Sequence, residues 1–162
     1  MQDFLGVKTS DLCDISDSDS ALGNWYTNIF TQERRKIIIF MNEVTLLSFI
    51  FTGVKKIKSK ETIKGFPWGL EQLLKLEGFS NETIGKIIQE NRTIELTSTN
   101  SRKLLGNMND LISMYQYFID ADGGLEYCNT GEIIHRVNRT PQRNLEWKDS
   151  ISAATAIIKN AT

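Results

Sequence analysis

Residues 24–51 read NWYTNIFTQERRKIIIFMNEVTLLSFIF, and how this stretch is read decides the fold. Its first part, NWYTNIFT (24–31), is aromatic and β-branched, which suits a pleated surface. KIIIFM (36–41) and VTLLSFIF (44–51) are apolar on both alternations, the pattern of strands covered on both faces. QERR is a polar connection, and Asn42-Glu43 is a tight polar break that lacks the glycine of the best hairpin turns. Three strands joined by connections this short predict an antiparallel meander.

Outward from the meander, the chain is punctuated differently. Residues 1–24 form an acidic lead in which DLCDISDSDSALGN (11–24) is rich in Asp and Ser, as in a loop with at most a short turn. GVKKIKSKETIK (53–64) reads as a basic connection. PWGLEQLLKLEG (67–78) repeats Leu70, Leu73, Leu74 and Leu76 on what should be the core side of a helix, with Pro67 near its start and Gly78 at its stop. SNETIGKIIQE (80–90) reads as a second helix behind a Ser80 cap. TIELTST (93–99) alternates and is β-branched, which predicts a fourth strand.

The longest helical pattern follows. Leu104, Leu105, Met108, Leu111, Ile112, Tyr115, Phe118 and Ile119 form one uninterrupted apolar stripe, capped at Asn100 or Ser101 and ended by Asp122-Gly123-Gly124. Arg102, Gly106, Asn109, Asp110 and Ser113 form a second stripe on the same helix. A mid-helix glycine costs roughly 1 kcal/mol relative to alanine, so Gly106 is expected to seat a strand, a helix or a ligand at close range. Arg102 offers a planar fork for a phosphate or carboxylate in the first turn, where free N–H groups also favour anions. The alternative is structural, with Arg102 paired to an acid such as one in residues 14–19. Ile133, Ile134 and Val137 give YCNTGEIIHRVNRTP (127–141) a short helix ending before Pro141, with Arg136, Arg139 and Arg143 as a basic edge. SISAATAIIKNA (150–161) is a last short helix.

At 162 residues, 40% hydrophobic and 24% charged, the chain fits one globular domain, residues 1–162, with a core large enough to need no metal or disulfide. Residues 1–33 carry a net charge of −5 and residues 34–64 a net of +6, within a whole of −1. No apolar run is long enough to span a bilayer and no secretory signal opens the chain, so a cytoplasmic protein off the membrane is expected. Cys13 and Cys128 are then reduced thiols, and neither has a neighbour at metal-ligand spacing. No metal and no cofactor is expected. The lone histidine, His135, lacks a nucleophile or second His in any order that spells a catalyst.

The segments GVKTSDL, LGNWYTNIFTQERRKIIIFMNEVTLLSF, TNSRKLLGNMNDL, GGLE and VNRTPQRNL together resemble an uncharacterised bacterial family, a domain of unknown function, over nearly the whole chain. NSRxLLGxMND and NRTP are the specific parts. The resemblance brings no activity. It implies a further short strand ahead of FLGVK that a chain starting at Met1 would lack, leaving a sheet edge unpaired. It points to Trp25, Asn28, Arg102, Asn109, Asp110, Asn138 and Arg139 as the residues to test. The tail NRTPQRNLEWKDSISAA is also faintly similar to the tail of some integrase-type transposases, but no three acidic residues on strands accompany it.

The expected fold is α+β, an antiparallel sheet of about four strands with four to five helices packed mainly on one face, and the N-terminal loop or the C-terminal helix covering the second. Three functions are carried forward. The first is a non-catalytic cytosolic binding module for a phosphate-bearing ligand or nucleic acid, with Arg102, Asn109, Asp110, Arg139, Trp25 and Asn28 as ligand-binding candidates. The second is a protein-interaction component of a bacterial defence or toxin–antitoxin system. The third is a metal-independent enzyme using His135 and Asp110 as acid or base.

Overall fold

The computed structural model describes residues 18–53, 59–92 and 101–161, with the backbone alone for residues 59–63. Three strands, β1 (Trp25–Gln32), β2 (Arg35–Asn42) and β3 (Ser48–Phe51), form an antiparallel sheet in chain order. The first turn is tighter than QERR suggested. Gln32 pairs with Arg35, so only Glu33 and Arg34 turn, both at positive φ (50° and 64°), the left-handed pair that a two-residue hairpin requires.

The second connection is longer than a two-residue break, and β3 starts at Ser48 rather than at 44. Asn42 is the reason. Its Nδ2 donates to the Leu22 and Asn24 carbonyls (2.7 and 3.2 Å), while its Oδ1 accepts from the Val44 and Thr45 N–H groups and the Thr45 hydroxyl. This buried amide holds residues 43–47 in a loop and ties them to the chain that enters β1.

The doubly apolar strands are covered on both faces by helices. Ile38, Phe40 and Phe49 face helix α1 (Ser59–Leu76), helix α2 (Asn81–Glu90) and helix α5 (Ser150–Asn160) through Phe66, Leu70, Leu73, Leu74, Ile84, Ile87, Ile151 and Ala154. Ile37, Ile39, Met41 and Ile50 face helix α3 (Arg102–Ala121) and helix α4 (Thr130–Arg139) through Met108, Leu111, Tyr115, Ile119, Ile133 and Val137. The helices are therefore divided between the two faces instead of being packed mainly on one. Strands apolar on both alternations demand this, because each face presents its own set of large apolar side chains.

Helix α1 begins at Ser59, eight residues before the expected start, and contains Pro67 in its interior. The basic stretch 53–64 thus contributes its second half to a helix. Leu76 is exposed rather than buried, since the inward face runs through Leu70, Leu73 and Leu74. Gly78 (φ 80°) ends the helix, with Phe79 N–H bonded to the Leu74 carbonyl at 3.1 Å. Ser80 and Ser101 cap α2 and α3 as expected, and Asn129 and Asp149 cap α4 and α5. The expected strand at 93–99, the FLGVK segment (4–8) ahead of which the family pattern has a further strand, and residues 14–17 lie outside the described residues.

Helix α4 runs beside β3, and Asn138 closes that sheet edge. Its Oδ1 accepts from Ser48 N–H (2.9 Å) and its Nδ2 donates to Ser48 C=O (2.7 Å), the two bonds a neighbouring strand would have made. Ser48 Oγ in turn bonds the buried Tyr115 hydroxyl (3.0 Å), whose pKa burial pushes well above the ordinary phenol value. On the opposite edge Gln116 donates to the Thr31 carbonyl and Asn28 Oδ1 accepts from Ile29 N–H. Side-chain amides thus take up backbone groups at both edges.

Candidate functional site

A group of ionisable and hydroxyl-bearing side chains gathers where α1 ends, α4 ends and α5 begins. Glu77 lies just past the last turn of α1, with its N–H on the Leu73 carbonyl (3.0 Å). A carboxylate at a helix C-terminus opposes the helix dipole, and the Glu77 side chain is fully buried, so it needs cations. Helix α4 supplies one, Arg139, and from the same face, four residues earlier, the imidazole of His135. His135 Nδ1 stands 2.9 Å from Glu77 Oε1, and Arg139 Nη2 stands 3.3 Å from Oε2.

The two contacts differ in kind. The imidazole makes a hydrogen bond through Nδ1 to a group that only accepts, which leaves Nε2 as the ring's free position. The guanidinium contact is an ion pair without hydrogen-bond alignment, and Oε2 receives no hydrogen bond from any described residue. His135 and Arg139 remain nearly half exposed (44% and 45%) while the acid between them is wholly enclosed.

Beside this pair opens a pocket of about 480 Å³, lined by Glu77, Gly78, Phe79, Arg139, Ile151, Ser152 and Thr155. The last three come from α5. Asp149 caps that helix, accepting from the Ser152 N–H and hydroxyl, both at 2.8 Å. Burial pushes the Asp149 carboxyl upward, but those bonds and the charge of Arg139 outweigh it, and its pKa lies below the ordinary carboxylate value. The pocket therefore combines one half-exposed guanidinium, two hydroxyl-bearing residues, an apolar floor and one enclosed carboxylate. That set suits a small anion better than a nucleophilic reaction.

The sequence candidates do not assemble into one site. Arg102, Asn109 and Asp110 lie exposed along the outer side of α3, and Ser113 only bonds back to the Asn109 carbonyl. Nothing among the described residues lies within 4 Å of a Cβ placed on Gly106, so the close approach expected there is not found. Trp25 packs on Phe66 and Phe49 (ring centroids 5.3 and 6.0 Å), within the aromatic cluster under α1. Asn28 and Asn138 serve the sheet edges. Of the candidates, Arg139 alone lines this pocket. The acid that meets His135 is Glu77, not Asp110.

Glu77, Asp149, Ser152 and Thr155 were missed from the sequence. Glu77 left one faint signal, an acid directly before the Gly78 helix stop, where the dipole disfavours it. Among the described residues no helix is long and apolar enough to cross a membrane, and no three His, Cys, Asp or Glu side chains are placed to hold a metal ion.

A family model, described as a domain of unknown function (DUF6933), matches residues 1–153. The chain belongs to this family. No curated protein and no solved structure matches it. Within this DUF6933 chain the NRTP segment (138–141) has separable tasks. Asn138 closes the β3 edge, Arg139 faces Glu77, and Thr140 Oγ1 bonds the Arg136 carbonyl (2.8 Å) to finish α4. Pro141 follows at the point where the helix must stop.

Proposed function

We propose that the protein is a non-catalytic binding module for a small phosphate-bearing ligand, seated in the pocket between the end of α1 and the start of α5. One observation carries this reading. Arg139 pairs with an enclosed carboxylate yet keeps a half-exposed guanidinium at the wall of an open pocket, with Ser152 and Thr155 across from it. A planar fork with spare donors beside the Thr155 hydroxyl is what a phosphate group needs. The overall charge of −1 favours a small ligand over a nucleic-acid lattice, which draws on broad positive surface. Native mass spectrometry of protein purified at low salt, with absorbance at 260 and 280 nm, tests the reading. A retained phosphate-bearing mass that is absent from Arg139→Ala supports it. A mass retained equally by Arg139→Ala rules it out.

A second reading rests on the Glu77–His135 contact. A carboxylate that orients Nδ1 leaves Nε2 ready for acid–base work, the arrangement a metal-independent enzyme would use. It needs a substrate group beside Nε2. It predicts that His135→Gln abolishes turnover while leaving ligand binding at Arg139 in place.

A further inference from the structure

The enclosed carboxylate says more about the ligand than the guanidinium does. Glu77 Oε2 is fully buried and receives no hydrogen bond from any described residue, and Arg139 alone balances it, from 3.3 Å and out of line. Arg139 is also the group an incoming anion would engage. Turning the guanidinium toward a ligand weakens its hold on Glu77. A buried charge that loses its counter-ion is strongly destabilised. A plain anion would therefore bind at the expense of Glu77. An anion that brings its own cation would not.

We propose, building on the reading of the pocket as a phosphate site, that its ligand is a small soluble aminoalkyl phosphate, in which two or three carbons separate a protonated amine from the phosphate. The phosphate takes the Arg139 fork together with the Thr155 hydroxyl of α5, the Ser152 O–H being held by Asp149. The ammonium replaces Arg139 at Glu77 Oε2, supplying both the missing hydrogen bond and the charge. His135 stays on Oε1 throughout, so the carboxylate keeps its orientation while its second partner changes.

Calorimetric titration with 2-aminoethyl phosphate and with ethyl phosphate tests this, on wild type and on Glu77→Gln. The amine-bearing compound should bind wild type at least about tenfold tighter, and the two should bind Glu77→Gln alike. Glu77→Gln keeps the shape of the side chain, and its neighbours His135 and Arg139 reach solvent, so its melting temperature checks that the fold is intact. Equal binding of the two compounds to wild type overturns the amine assignment and leaves the phosphate site standing. Absence of binding by either overturns both. Binding confined to vesicles that carry aminoethyl phosphate headgroups overturns the assignment to a soluble ligand.

Discussion

Asn138 holds both backbone groups of Ser48, at 2.9 and 2.7 Å, across 90 residues of sequence. The amide stands in for one residue of a missing neighbour strand, and Ser48 passes the contact on to Tyr115. The helix that carries this amide also carries His135 and Arg139, so the edge closure fixes α4 and with it the pocket.

Asn138→Ala strands a buried N–H and a buried C=O at once. Each unsatisfied group costs about 1–3 kcal/mol, so the variant should lose roughly 2–6 kcal/mol in urea unfolding. Tyr115→Phe removes one bond from the same network and should cost about 1 kcal/mol. A loss below about 1 kcal/mol for Asn138→Ala would mean that the β3 edge does not depend on it.

Two glycines in helices should respond oppositely to alanine. At Gly69 a Cβ would overlap the Phe49 ring and come within 2.7 Å of Phe51 Cζ, so Gly69→Ala should destabilise by about 1–3 kcal/mol. Gly106 is exposed, with open space among the described residues, so Gly106→Ala should stabilise by about 1 kcal/mol through helix propensity alone. Thermal unfolding of both variants checks the pair. A destabilised Gly106→Ala would show that something packs on that side of α3.

Asp149 gives the fold a defined acid sensitivity. Its folded pKa lies below the unfolded value of 3.8, so its contribution is complete above that value and is lost as the pH falls through the folded pKa. Asp149→Ala should cost about 1 kcal/mol at neutral pH, as for other caps. The gap between variant and wild type should close below about pH 4. Unfolding curves for both proteins between pH 2 and 7 measure it. A gap that persists undiminished at pH 2 would contradict the capping role.

Much of the fold was legible because it is local. KIIIFM is apolar on both alternations, and the structure buries Ile37 to Met41 on both faces. The stripe from Met108 to Ile119 lies on one face of α3, and Gly78 and Gly123 stand where the chain needs positive φ. Leu76 was misread because a run of leucines hides which ones share a face. The start of α1 was misread because Pro67 looks like a first-turn residue when it sits in the interior. The site was illegible for another reason. Glu77 and His135 are 58 residues apart, and Ser152 joins them only once α5 packs beside α4. No periodicity encodes that meeting. The motif NSRxLLGxMND was conspicuous as a pattern, yet Arg102, Asn109 and Asp110 lie exposed on α3, whereas Arg139 in NRTP reaches the pocket.

His135 is the chain's single histidine and stands against the same carboxylate as Arg139, so its imidazole proton is a built-in reporter of the pocket. The most direct test follows that proton resonance by NMR at fixed pH while ethyl phosphate and 2-aminoethyl phosphate are titrated into wild type, Arg139→Ala and Arg102→Ala. A saturable shift with at least one compound, kept in Arg102→Ala and lost in Arg139→Ala, is the predicted result. A histidine resonance that neither compound moves, or that moves equally in Arg139→Ala, would contradict the phosphate site.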